Sequence, residues 1–212
     1  EVGLNGIVRD VDNNIYRTIK IGNQVWMAEN LRTTHYADGT PISKITSQSE
    51  WYNLNGNDIA YSWYENDSVS YAKTYGALYT WAAAMKGASS SNSNPSEVQG
   101  VCPDGWHLPS NKEWNELENY LGGASVAGGK LKESGTSHWN SPNEGATNES
   151  GFTGLPAGFR NLYGGFYNMG YRSYCWSSTE GTATNAWYRL LYYNKNNVGK
   201  YNVDKQTGFS VR

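Results

Sequence analysis

The feature that most constrains this chain is where its apolar surface resides. Among 212 residues there are 9 Trp, 17 Tyr and 4 Phe, whereas Val, Ile and Leu are sparse. Each ring can bury about 150–250 Å², so the rings argue against disorder and must form most of any core. Rings of that size can also pack irregular backbone, and the chain offers much of it, with 24 Gly and a comparable number of Asn. The expected fold is therefore α+β, with a large region of ordered loop. The length fits one domain over 1–212, in which a hairpin segment over 1–32 packs on a body over 33–212.

Charge removes several classes of function. Lys plus Arg number 17 against 19 Asp plus Glu, for a net charge of −2. Nothing supplies the basic footprint that a nucleic acid requires. The longest apolar runs are too short to form a transmembrane segment. The surplus of Asn, Gly, Tyr and Trp over Lys and Glu points to a secreted or cell-surface protein. The opening Glu1-Val2-Gly3 shows no charged and apolar leader, which reads as a mature form.

Local patterns assign the elements. Ile15 to Ile21 alternates with period two, Gly22-Asn23 forms a turn, and Gln24 to Met27 continues as the second arm of a hairpin. Asp10-Val11-Asp12-Asn13-Asn14 alternates like a calcium loop but lacks the Gly and distal Glu of an EF-hand, so a turn capped by its own side chains is expected. Residues 33–72 read as loops. Tyr75, Leu78, Tyr79, Ala82 and Ala83 recur at helical spacing and predict a helix ending at Gly87. Ser89 to Ser96 reads as an exposed loop tip. Ser110-Asn111-Lys112-Glu113 is a capping box opening a helix through Trp114, Leu117 and Leu121, which Gly122-Gly123 stops. A short helix is expected around Val126 and Leu131. Residues 135–174 lack a regular pattern. Strands return over 186–193, 198–203 and 208–212.

Several segments together resemble one family: Ile21-Gly22-Asn23-Gln24-Val25-Trp26-Met27-Ala28-Glu29-Asn30-Leu31, Tyr75-Gly76-Ala77-Leu78-Tyr79, and Val101-Cys102-Pro103-Asp104-Gly105-Trp106-His107-Leu108-Pro109-Ser110. They continue with Thr147-Asn148-Glu149-Ser150-Gly151-Phe152, Leu155-Pro156-Ala157-Gly158-Phe159-Arg160, Trp176-Ser177-Ser178-Thr179-Glu180 and Gly208-Phe209-Ser210-Val211-Arg212. The chain resembles the Fibrobacter succinogenes major paralogous domain, common in secreted and surface-attached bacterial proteins. The resemblance implies a C-type-lectin-like fold, shared with formylglycine-generating enzymes: a small twisted antiparallel sheet, two main helices and a loop-rich half. It implies no established activity. In the family a Cys usually follows the final Val-Arg and bridges to the position of Cys102. Here Cys175 stands where an aromatic is more usual. Either Cys175 takes over as the partner of Cys102, closing a loop of about 74 residues with up to ~4 kcal/mol of stabilisation, or both remain buried thiols.

Catalytic chemistry finds little footing. Cys102 or Cys175 with His35, His107 or His138 would be needed for thiol nucleophilic catalysis, and the reactive cysteine pair of the formylglycine-generating enzymes has no counterpart. The His and Cys spacings do not suit zinc. His107 reads as a hydrogen-bonded structural residue. Glu113, Glu116, Glu118, Glu144, Glu149 and Glu180 could supply a carboxylate pair, but no two are coupled by spacing. No cofactor is expected beyond a structural Ca²⁺, for which Asn140, Asn143, Glu144, Asn148 and Glu149 offer oxygen donors. Ser141-Pro142-Asn143-Glu144 resembles the Pro-centred sugar motif of calcium-dependent lectins, with Ser in place of the acid; the alternative is Asn side chains bonding the loop backbone.

The expected function is a non-catalytic extracellular module that binds a glycan or a surface protein through loop aromatics: Trp51, Tyr64, Trp139, Tyr163, Phe166, Tyr167 and Tyr171. The alternatives are a self-assembling subunit of a surface layer or filament and, more remotely, a glycan-active hydrolase. Asp67-Ser68-Val69 resembles a bacterial O-glycosylation site in a loop, with Ser68 as acceptor.

Overall fold

The computed structural model describes residues 6–212; the expectations for Glu1-Val2-Gly3 and the start of the 1–32 segment lie outside them. β1 (Gly6–Arg9), β2 (Ile15–Ile21) and β3 (Gln24–Met27) form an antiparallel sheet in that order. The hairpin is as expected: Ile21 pairs with Gln24 across the Gly22-Asn23 turn, where Gly22 takes φ 62°. The Asp10–Asn14 turn is capped from within, Asp10 accepting from both the backbone and the side-chain amide of Asn14 at 2.8 Å.

The stretch read as loops over 33–72 holds more regular structure than its weak periodicity predicts. It contains α1 (Gln48–Tyr52), β4 (Tyr61–Ser62), a 3-10 turn (Tyr64–Asn66) and the start of α2 (Ser68–Tyr75). The expected continuous helix over Tyr75 to Gly87 is not formed. α2 ends at Gly76, β5 (Leu78–Tyr79) pairs with β4, and α3 (Trp81–Met85) starts afresh from a Thr80 cap. The break has a steric cause. Gly76 takes φ 75°, and a Cβ there would lie 2.6 Å from the Leu31 carbonyl. The chain thus turns to pair Ala77 N–H with Leu31 O.

α4 (Asn111–Tyr120) opens with the expected capping box, and α5 (Ala124–Leu131) follows. Within the segment expected to be irregular, β6 (Ala157–Arg160), β7 (Phe166–Met169) and the start of β8 (Arg172–Glu180) are strands. With β9 (Asn185–Tyr192) and β10 (Gly199–Asp204) they form a five-stranded sheet in the order β10-β9-β8-β6-β7. β6 and β8 meet in parallel only at Gly158 and Ser173. The closing residues are not a ladder strand. They bridge Gly208 to Arg160 and Ser210 to Cys175, and so wedge between β6 and β8.

Rings and cations hold this frame together. One buried cluster joins Tyr16, Tyr79, Trp81, Tyr174, Trp176 and Phe209; a second joins Trp26, Trp114, Trp139, Phe152, Cys175 and Leu191. Successive β8 residues point to opposite faces, so Tyr174 and Trp176 enter the first cluster while Cys175 enters the second. Buried cations then gather loop carbonyls. Arg160 donates to Ile45, Thr46, Ser47 and Gly164 while lying between the Trp51 and Phe166 rings at 4.3 and 4.8 Å.

Candidate recognition surface

The demand for core rings claims part of the expected ligand set. Trp51, at 0% exposure, forms the inner face of α1, and Trp139, at 1%, donates Nε1 to Gly154 O. Tyr64 is buried as well. These three cannot present a face to a ligand, which corrects the expectation for them. Tyr163, Tyr167 and Tyr171 remain about half exposed, and Phe166 partly so. Tyr171 stands apart, packed edge-on against Tyr193 at 5.1 Å.

What the fold assembles is a chain of rings over α2 and the β7 edge. Phe166 contacts Tyr64 at 5.4 Å, and Tyr64 contacts Tyr71 at 5.4 Å. Tyr71 meets Tyr75 at 6.1 Å, and Tyr75 meets the His138 ring edge-on at 5.7 Å. Beside this row Tyr163 stacks on Tyr52 at 6.0 Å with planes 24° apart. Tyr52, Tyr71, Tyr75 and His138 were not among the expected ligand residues. Tyr71 and Tyr75 stand four residues apart, and Asp67 caps α2 by accepting from Val69 and Ser70 N–H; an Asp cap before that spacing was the available signal. It also relocates Ser68, which is exposed but sits in the first turn of α2 rather than in a loop.

A concavity of about 320 Å³ lies between β3 and the start of α4, lined in part by Trp26, Cys102, Trp106, His107, Glu113 and Arg212. His107 Nε2 sits 2.6 Å from Glu113 Oε1, while Glu113 Oε2 accepts from Ser96 and Ser110 N–H. Burial alone would raise the Glu113 carboxyl, but the imidazole and the Ser110 N–H outweigh it and hold it below its ordinary value. The same carboxylate raises His107. The His107 expectation is met, since the ring serves the helix cap.

Cys102 and Cys175 are both free and belong to different clusters, so the disulfide between them is not formed. Burial pushes the Cys102 thiol up to about 12 and raises Cys175 too, which suppresses the thiolate that nucleophilic chemistry needs. The carboxylates considered as hydrolytic pairs are engaged singly: Glu116 with Asn94, Glu118 with Arg189, Glu149 with Lys130 and Glu180 with Lys205.

Several of the calcium candidates are engaged with the loop itself. Asn143 Nδ2 bonds the Glu133 and Gly135 carbonyls while its buried Oδ1 has no partner, and the Asn148 side chain bonds Thr153. Asn140 serves through its backbone, and the Glu144 carbonyl accepts from Lys132. Among the described residues no three His, Cys, Asp or Glu side chains gather as a metal site. The cation at this loop is the Lys132 ammonium, fully buried, which donates to Glu144, Tyr192 and Lys195 carbonyls at 2.8–3.1 Å. Burial lowers it to about 8, with Glu144 pulling the other way.

The model for the Fibrobacter succinogenes major domain matches residues 19–212. The chain belongs to that family. No curated protein and no solved structure matches it. Among the described residues of this Fibrobacter succinogenes major domain, no helix is long and apolar enough to cross a membrane.

Proposed function

We propose that the protein is a non-catalytic, extracellular or cell-surface recognition module that takes a glycan or a surface protein on its ring-lined face. The observation that carries this reading is the set of partly exposed rings Phe166, Tyr71, Tyr75 and His138, joined through the buried Tyr64, together with the Tyr52–Tyr163 stack. Ring faces fixed by their neighbours lose little conformational freedom on binding, which suits them to stack on sugars or to anchor a protein partner. The Arg160 bolt beneath Phe166 adds to that rigidity. The features that support a C-type-lectin-like assignment are the loop-rich half, the modest, mainly antiparallel sheet and the helices α4 and α5.

Retention on a glycan array and on immobilised surface proteins tests the reading. Tyr163→Ala and Tyr71→Ala are expected to weaken retention by about tenfold, as loss of a ring anchor does elsewhere, while far-ultraviolet circular dichroism stays unchanged. If nothing is retained and the protein sediments as large particles, the self-assembling subunit replaces this reading.

A further inference from the structure

A different set of rings crosses the five-stranded sheet, and each strand supplies one. Tyr201 of β10 contacts Tyr188 of β9 at 6.1 Å, and Tyr188 contacts Tyr174 of β8 at 5.9 Å. Tyr174 contacts Phe159 of β6 at 4.9 Å, and Phe159 contacts Tyr167 of β7 at 5.9 Å. The ladder register explains the alignment: Tyr201 lies opposite Tyr188, and Phe159 opposite Tyr167. Strand spacing of roughly 4.8 Å sets the interval between rings. Tyr201 and Tyr167 at the two ends are about half exposed and Tyr188 and Phe159 partly so, whereas the central Tyr174 ring is buried in the first cluster and links the two halves of the row from beneath.

The middle of the row is polar and cationic. The Tyr174 hydroxyl accepts from Asn168 Nδ2 at 2.7 Å and from Arg172 Nη1 at 3.4 Å. Arg172 lies 5.7 Å from the centre of the neighbouring Tyr192 ring, and Lys195 Nζ lies 4.9 Å from it. Both cations are exposed, and among the described residues neither forms an ion pair. Two cations on tyrosine rings without a carboxylate beside them leave a positive spot on a protein whose net charge is −2.

We propose that this sheet-borne row of rings, with Arg172 at its middle and Lys195 on the adjoining Tyr192 ring, binds an acidic polysaccharide. The exposed rings, Tyr201 with Tyr188 at one end and Tyr167 with Phe159 at the other, take the apolar faces of sugars, tyrosine hydroxyls and Asn168 take their hydroxyls, and the guanidinium between them takes a sugar carboxylate or sulfate with paired N–H donors. A neutral glycan would leave both cations unanswered, and the overall negative charge disfavours a nucleic acid. The site uses residues other than the α2 ring row, so it goes beyond the function proposed above and stands or falls separately.

Calorimetric titration of the intact protein with polygalacturonate oligosaccharides, and with cello-oligosaccharides as neutral controls, decides it. The expected result is binding of the acidic oligomers alone, weakened by added salt. Arg172→Gln and Tyr201→Ala should each weaken it by at least about tenfold. Equal binding of neutral and acidic oligomers, undiminished binding by Arg172→Gln, or no binding of polygalacturonate overturns the proposal. Of these, undiminished binding that Tyr163→Ala abolishes would overturn it while supporting the α2 row. A coincident unfolding curve for each variant shows that any loss is local.

Discussion

At the scale of single residues, the His107–Glu113 contact gives a pH dependence with a definite sign. Glu113 is lowered in the folded protein, so its contribution is complete above the ordinary carboxylate value of 4.5 and is lost as pH falls through the lowered one. His107 is raised, so its contribution is complete below the ordinary 6.5 and is lost as pH rises through the raised value. Both act together between those two ordinary values. Wild-type protein should melt at a lower temperature at about pH 8.5 than at about pH 5.5, and His107→Gln should narrow that difference. Equal narrowing by His138→Gln alone, with none from His107→Gln, would assign the effect elsewhere. Glu113 was legible as the acid of the Ser110–Glu113 capping box and His107 as a hydrogen-bonded structural residue, although the contact between them was not named by the sequence. Lys132 was not legible, because its partners are carbonyls 12, 60 and 63 residues away and carbonyls leave no mark in a sequence. Lys132→Met would remove the donor shared by three carbonyls, that of Tyr192 buried, and should cost about 2–4 kcal/mol in urea unfolding.

At the scale of elements, legibility follows how local the determinants are. α4 was readable to within a residue because Ser110 and Glu113 satisfy each other's backbone groups. Ser110 also donates to the Ser93 carbonyl at 2.6 Å, which ties the preceding loop to the helix. Ser110→Ala removes both links and is expected to cost roughly 1–2 kcal/mol, with faster hydrogen exchange at Glu113 and over 93–96; exchange unchanged at those amides would refute the shared role. The Tyr75–Ala83 stripe misled because its spacing is helical while Gly76 answers to Leu31, more than forty residues away. The strands β6 and β7 were hidden for a related reason: with 4 residues each they are too short to show a period. Among ring candidates, no sequence rule separated Trp51 from Tyr163. The difference is that Trp51 faces Arg160 and Gln206 donates to its carbonyl, whereas Tyr163 stacks at the rim on Tyr52.

At the scale of the whole molecule, the question is whether the N-terminal sheet unfolds with the body. β2 serves both clusters, with Tyr16 in the first and Ile19 and Ile21 in the second. Arg212 donates to the Ala28 carbonyl just after β3 and to Phe152 and Thr153 on the far side. The wedge that carries Arg212 also carries Phe209, whose ring contacts Tyr174, Trp176 and Tyr188 within 4.6–4.8 Å. Phe209→Ala therefore removes a ring fully enclosed between β6 and β8 and should cost about 3–5 kcal/mol. If the two clusters form one cooperative unit, the loss must be felt in β2, distant in sequence. Urea curves followed by tryptophan fluorescence and by hydrogen exchange at Thr18 and Ile19 should then shift together and remain coincident. Should the β2 amides keep their wild-type protection while fluorescence shifts, the 1–32 segment is a separate folding unit. The expectation of one unit follows from the composition itself: a chain poor in aliphatics draws its rings from every segment, and β8, whose alternate side chains enter both clusters, couples the two faces.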